Sequence, residues 1–135
     1  MHEYSLAHSL LQGLLEHLER EPVSGRVRKV HVRQGELLIL SQQALKEAWH
    51  ILTERTPLAG SELEIERVEV RVRCRSCGYR GPVPRVEGEG WHFQAPVLSC
   101  PRCGGRVEIE EGRELAIIAL TVEGAPAEEV DPCDS

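Results

Sequence analysis

Aromatic residues are scarce in this chain of 135 residues, at 4% of the total, although 41% of its residues are hydrophobic. A core must therefore be assembled from leucine, valine, isoleucine and alanine. A core of that kind in one small domain is only marginally stabilising, so a metal staple would add materially. No apolar run is long enough to form a bilayer-spanning helix. The opening Met1-His2-Glu3-Tyr4 shows neither the basic segment nor the hydrophobic stretch of an export signal. The expectation is a cytoplasmic protein, whose reducing surroundings favour metal-bound thiols over disulfides. A net charge of −6 argues against nonspecific nucleic-acid binding by the molecule as a whole.

The charge is uneven. Between residues 71 and 106 lie Arg71, Arg73, Arg75, Arg80, Arg85, Arg102 and Arg106, against only Glu87 and Glu89. That asymmetry marks a second unit inside an acidic chain.

Leu6, Leu10, Leu14 and Leu18, with Leu11 and Leu15 beside them, recur at helical spacing over about residues 4–20. Pro22 and Gly25 end that helix. Val30 and Val32 alternate with His31 and Arg33 as in a half-buried strand. Leu37 to Leu40 reads equally as a short buried strand or an apolar loop. Ser41 is placed to cap a second helix with Leu45, Ala48, Trp49 and Leu52 on its apolar side. Leu63 and Ile65 alternate with acids, and Val68, Val70 and Val72 continue on the opposite parity. A bulge or break near Glu66-Arg67 follows, because a one-residue slip exchanges the buried face. The nearly continuous apolar run Leu115 to Val122 suits a central strand, and only the N-terminal sheet is large enough to receive it. The expected architecture is α+β: a small β-sheet with two helices, plus an inserted zinc-ribbon-like domain. Residues 1–69, completed by a strand within 112–124, form the main domain; residues 70–111 form the insertion. The acidic, proline-containing stretch 125–135 reads as a disordered tail.

Cys74-Arg75-Ser76-Cys77-Gly78 and Cys100-Pro101-Arg102-Cys103-Gly104 repeat one pattern. Two residues between cysteines let both thiolates face one ion about 2.3 Å away. The following glycine allows a left-handed turn that aims backbone amides at the sulfurs. The 22 residues between the knuckles suggest an enlarged hairpin loop, with Gly88-Glu89-Gly90 as a turn. Cys74, Cys77, Cys100 and Cys103 would close a tetrahedron around structural zinc and leave no position for substrate. The competing reading, a redox C-x-x-C pair, fits a duplicated glycine-tailed motif poorly. Cys133 stands alone and reads as a free thiol. No pair of side chains suggests catalysis, so an enzyme is not expected.

The Met1 amine, the His2 backbone nitrogen and the His2 imidazole could form two fused chelate rings around a square-planar ion. Nitrogen donors in that geometry suit Ni(II) or Cu(II) better than zinc. On this motif alone, a solvated early histidine is the ordinary alternative. The same alternative holds for His8, His17, His31, His50 and His92. His92, between Trp91 and Phe93, is a further candidate nickel ligand. Tyr79, Trp91 and Phe93 read as a miniature core beneath the knuckles.

Met1-His2-Glu3 followed by an amphipathic helix resembles the start of the HypA/HybF family of nickel-incorporation metallochaperones. Gly35-Glu36-Leu37, Leu58-Ala59-Gly60-Ser61-Glu62-Leu63-Glu64-Ile65, the two cysteine knuckles and Glu114-Leu115-Ala116-Ile117 resemble further family segments in the same order. The likeness runs from residue 1 to about 123. It departs from the family after Leu37, where Leu38-Ile39-Leu40-Ser41 replaces a small polar loop, and in the long spacer between knuckles. The resemblance implies nickel held at Met1, His2 and Glu3 as transferred cargo, and structural zinc at the four cysteines. It also implies delivery during [NiFe]-hydrogenase maturation. The implied partners are a HypB-like GTPase and a hydrogenase large-subunit precursor, with urease maturation proteins as an alternative client route; neither nucleic acid nor a membrane is expected. The competing function is a zinc-ribbon module binding nucleic acid or protein, prompted by the seven arginines.

Overall fold

The computed structural model of the chain describes residues 2–87, 94–123 and 128–129. The proposed nickel ligand Met1, the candidate ligand His92, the pair Trp91 and Phe93, the 88–90 turn and Cys133 lie outside them. So does most of the stretch read as a tail. Among the described residues no helix is long and apolar enough to cross a membrane.

The chain forms two compact units. The first comprises residues 1–34, 39–66 and 115–135; the second comprises 35–38 and 67–114.

In the first unit, α1 (His2–Arg20) buries Ala7, Leu10, Leu11 and Leu14, one face of the leucine repeat. Strand β1 (Val27–Gly35) buries Val30 and Val32 as its alternation requires. Ser41 then caps α2 (Gln42–Thr53): its hydroxyl oxygen accepts from the Ala44 N–H at 3.1 Å. This satisfies one of the amides that every helix start leaves unpaired. Helix α2 buries Leu45, Ala48 and Trp49. The Trp49 indole N–H donates to Ser61 Oγ at 3.0 Å, and that hydroxyl donates to the Leu58 carbonyl at 2.6 Å. A large side chain thus enters the core without stranding its polar atom.

Strand β2 (Glu62–Val68) follows and, after the second unit, β8 (Leu115–Val122) returns. The sheet order is β2-β1-β8-β9, with β9 (Glu128–Glu129) at the far edge. Strand β8 pairs antiparallel with β1, Val30 opposite Leu120 and Val32 opposite Ile117, with register shifts at Val27/Lys29 and His31/Val32. The apolar run is therefore central in the sheet, as its composition requires. Within the stretch read as a disordered tail, Glu128 and Glu129 pair with Leu120 and Ala119. The open backbone edge of β8 can recruit even a charged dipeptide.

The second unit holds β3 (Arg71–Cys74), β4 (Arg80–Pro82), β5 (Arg85–Glu87), β6 (Gln94–Pro96) and β7 (Val107–Glu111). Strands β4-β3-β7 form one sheet, and β5 and β6 pair separately. The long spacer between knuckles is thus an added hairpin. Val70, Val72 and Val83 make a small buried cluster, with Tyr79, Leu37 and Val107 packed against it.

The exchange of faces expected near Glu66-Arg67 is present: Leu63 and Ile65 turn inward, Glu66 and Arg67 are both exposed, and Val68 and Val70 turn inward on the opposite parity. Strand β2 nevertheless continues to Val68, and the irregular residues are Glu69 and Val70. The reason is Glu36. Its backbone N–H donates to the Val68 carbonyl at 2.9 Å, and its carboxylate accepts from the Val70 N–H at 2.9 Å. Glu36 thereby stands in for a neighbouring strand. The same carboxylate takes both N–H groups of the Arg85 fork at 2.6 Å. The Leu37 N–H donates to the Gly112 carbonyl and the Gly35 N–H to the Glu114 carbonyl, each at 2.7 Å. Strand β1 ends at Gly35, and residues 36–38 form a turn held by these bonds, so Leu37 to Leu40 take the loop alternative and form no strand. Gly35 and Gly112 approach so closely that a Cβ on Gly35 would lie 2.2 Å from the Gly112 carbonyl carbon.

The Arg85 fork, ahead of the Val70 amide, holds the Glu36 carboxyl below its ordinary value of 4.5. A depressed carboxylate contributes stability above the unfolded value, and that contribution is lost as pH falls through the lower folded value. Glu36→Gln is expected to destabilise the second unit by about 2 kcal/mol at pH 7, because Arg85 loses its nearer and more buried charged partner. Chemical denaturation should show the difference shrinking below pH 4.5. A difference independent of pH would remove the charge from the explanation.

Candidate metal centre

Cys74 ends β3, and the chain turns immediately so that the Gly78 N–H donates to the Cys74 carbonyl at 3.0 Å. In the second knuckle the Gly104 N–H donates to the Cys100 carbonyl at 2.8 Å. Both glycines are left-handed, at φ +79° and +74°, a conformation that costs other residues energy. The repeat in sequence is therefore a repeat in backbone shape.

The two turns bring all four cysteine sulfurs within 4.8 Å of one another. Cys74 Sγ lies 3.6 Å from Cys103 Sγ, and Cys77 Sγ lies 3.5 Å from Cys100 Sγ. An ion bound tetrahedrally at about 2.3 Å from each sulfur spaces them about 3.8 Å apart. The observed separations fit such an ion. Cys74 and Cys100 are buried, whereas Cys77 and Cys103 are exposed. The Arg102 and Cys103 N–H groups point at Cys100 Sγ from 3.4 and 3.5 Å.

Burial opposes ionisation of Cys100, yet the Cys103 and Arg102 amides and the neighbouring thiols outweigh it and bring its thiol down to about 6. Cys74 is lowered as well, chiefly by the Cys77 amide. For Cys103 the Gly105 amide favours the thiolate, but the Cys74 and Cys100 sulfurs prevail and push it up to about 11. For Cys77 the Tyr79 amide is similarly outweighed, by Cys100, burial and Cys74, and its thiol is raised. Two thiols ionise readily and two resist once the first two are charged. A divalent cation removes that conflict.

Four of the seven arginines between residues 71 and 106 form ion pairs with glutamates. Arg73 and Arg75 both reach Glu108, Arg80 reaches Glu110, and Arg85 reaches Glu36 and Glu69. Glu108 is held below the usual carboxylate range chiefly by its Arg73 bond.

At the other end of the chain, His2 opens α1 and is exposed. The Glu3 carboxylate accepts from the Ser41 backbone N–H at 3.0 Å. That bond, followed by Glu3's own amide, lowers its pKa. Ser41 thus caps α2 with its hydroxyl and holds Glu3 with its amide. Sequence reasoning identified the cap but had no signal for the second contact, which joins residues 38 positions apart. His31 is likewise engaged, with Nε2 2.6 Å from Thr121 Oγ1.

The model of the family described as hydrogenase/urease nickel incorporation, metallochaperone, hypA, matches residues 1–122. The chain belongs to the HypA family. Among curated HypA relatives, the hydrogenase maturation factor HypA of Desulfosudis oleivorans is 34% identical over 121 residues, covering 89% of this chain and 96% of that protein. The protein of the same name from Methanothermobacter thermautotrophicus is 33% identical over 124 residues, covering 91% and 98%. The solution structure of the nickel metallochaperone HypA from Helicobacter pylori shares the fold, with a TM-score of 0.63 at 20% identity. It is covered to 96%, against 89% of this chain. A second HypA solution structure superposes with a TM-score of 0.64 at 23% identity, covering 93% of this chain and 98% of that one. The HypA assignment spans both the sheet with its two helices and the unit carrying the four-cysteine metal site.

Proposed function

We propose that this HypA family member is a nickel carrier, not an enzyme. In this reading it binds Ni(II) at its N-terminus and delivers it during [NiFe]-hydrogenase maturation in the cytoplasm. A structural zinc at Cys74, Cys77, Cys100 and Cys103 maintains its second unit. The observation that carries the reading is the match to the nickel-incorporation family over residues 1–122. Four sulfurs at tetrahedral spacing support a closed zinc site with no exchangeable position.

The nickel ligands are the Met1 amine, the His2 backbone nitrogen and the His2 imidazole, with Glu3 completing or orienting the site. His2 stands in the first turn of α1, where amides have no partner within the helix. Its N–H is therefore not committed to a helical hydrogen bond that nickel would have to break. Glu3, held by Ser41, keeps a carboxylate beside that turn. Partners in this reading are a HypB-like GTPase and the hydrogenase large-subunit precursor, with urease maturation proteins as a further client route. The rival zinc-ribbon module for nucleic acid is disfavoured by net acidity and by the pairing of Arg73, Arg75, Arg80 and Arg85 with glutamates.

Nickel titration by calorimetry tests the chelate. His2→Ala should abolish high-affinity binding while leaving zinc content and circular dichroism unchanged. A few residues added before Met1 should do nearly the same, since they remove the free amine. Affinity of the unaltered protein should fall steeply as pH drops, because the backbone nitrogen must lose its proton. The bound ion should be diamagnetic with weak visible absorption. Undiminished affinity in the extended, His2-intact protein would refute the chelate.

A further inference from the structure

Strand β2 is an edge of the first unit's sheet, and among the described residues no strand pairs with its outer side. An edge leaves a row of unpaired backbone N–H and C=O groups, which is a template for another strand. Beside this edge runs a groove of about 580 Å³ between α2 and the start of β2. Trp49 and Leu63, both buried, contribute to its lining, and Ile51 at its rim is 60% exposed. The Trp49 indole N–H is already satisfied by Ser61, so this indole asks for no polar partner. Lys46 and Glu47 on the helix wall carry opposite charges and give that wall no preference of sign.

The strand supplies the preference. Glu62, Glu64 and Glu66 alternate along β2 and are exposed, while Leu63 between them is buried and Ile65 half-buried. On the inner side, Lys29 of β1 reaches Glu64 at 3.2 Å and Arg33 reaches Glu66 at 3.0 Å. The sheet therefore already pairs a cationic row with an anionic row. A strand added outside β2 meets the anionic row, and cations on it extend the alternation. A second copy of β2 would instead set glutamate against glutamate, which opposes self-pairing.

We propose that β2 and the α2 groove form a docking site for a partner protein's extended segment in which basic and aliphatic residues alternate. The segment adds to the sheet as a fifth strand. Its backbone bonds to the β2 edge, its lysines or arginines lie over Glu62 and Glu64, and an aliphatic side chain enters the groove against Trp49, Leu63 and Ile51. Main-chain bonds supply affinity and the alternating side chains supply selectivity. This site is separate from the nickel and zinc residues and does not depend on their reading.

The test uses the full-length, zinc-loaded protein and a synthetic peptide of about eight residues, a usual strand length, alternating arginine or lysine with valine. Amide shifts on titration should fall on residues 61–66 and 46–51. The double variant Glu62→Lys/Glu64→Lys and the single variant Ile51→Glu should each weaken binding at least roughly tenfold, as loss of cross-strand charge pairs and apolar contact predicts. Both change exposed side chains, and an unchanged thermal transition should accompany the loss. A peptide of the same composition shuffled out of alternation should bind at least roughly tenfold more weakly, because its charges and aliphatic groups then share a face. Equal binding of the shuffled peptide would mean diffuse charge attraction and overturn the proposal. Shifts elsewhere, affinity unchanged in both variants, or β2-mediated dimerisation in sedimentation experiments would overturn it too.

Discussion

Cys77→Ala is expected to release the metal and disorder residues 67–114 while the helices of the first unit persist. Among the described residues the second unit has little else to hold it: the buried apolar cluster there consists of three valines. Three buried valines contribute roughly 6 kcal/mol, far less than the conformational entropy of ordering about fifty residues. A four-sulfur ion supplies on the order of 10 kcal/mol and is indispensable on that scale. The same loss should follow chelation of the wild-type protein. Measured by amide exchange, protection should vanish around Val72 and Val107 and remain in α1 and α2. Native-like protection of residues 72–107 in a demonstrably metal-free sample would defeat the idea.

Removal of residues 112–135 is expected to unfold the first unit, although most of that unit lies before the cut. Strand β8 sits between β1 and β9 and places Ile117, Leu120 and Val122 in the core beside Leu10, Leu14, Val30 and Trp49. Without it, β1 loses its partner and the inner faces of both helices lose their floor. The milder Leu120→Ala should cost about 3 kcal/mol, since a fully enclosed leucine leaves a cavity. Deleting only 125–135 removes the two-residue β9 and should cost under about 1 kcal/mol. Thermal denaturation followed at the helical signal separates these cases. A cooperative transition in the 1–111 protein would show that β8 is dispensable.

What could be read from the sequence was whatever a short window decides. The leucine repeat gave α1, Ser41 gave the start of α2, and C-x-x-C-G twice gave the four-sulfur cluster, because periodicity, capping and chelate spacing are local. The strand Leu115 to Val122 could be assigned to the N-terminal sheet only by asking where so apolar a run could be buried. The change of buried face near Glu66-Arg67 was legible in the alternation, and Leu37 to Leu40 took the loop alternative; what could not be read was Glu36 meeting Arg85, 49 residues away. The Glu3–Ser41 bond was hidden for the same reason. The edge groove was hidden too: alternating glutamates look like an ordinary solvated face until the sheet order shows that no strand among the described residues pairs with β2 beyond them.

The close approach of Gly35 and Gly112 bears on the order of events during synthesis. Residues 35–38 bond to Val68, Val70, Gly112 and Glu114, so the second unit cannot close until residue 114 has left the ribosome. The first unit waits as well, because β1 needs β8. Neither unit is a contiguous segment that can fold as it emerges, and such non-local pairing is slow and leaves strand edges open meanwhile. The nascent chain must carry its thiols and its unpaired β1 edge until residues 112–122 have emerged.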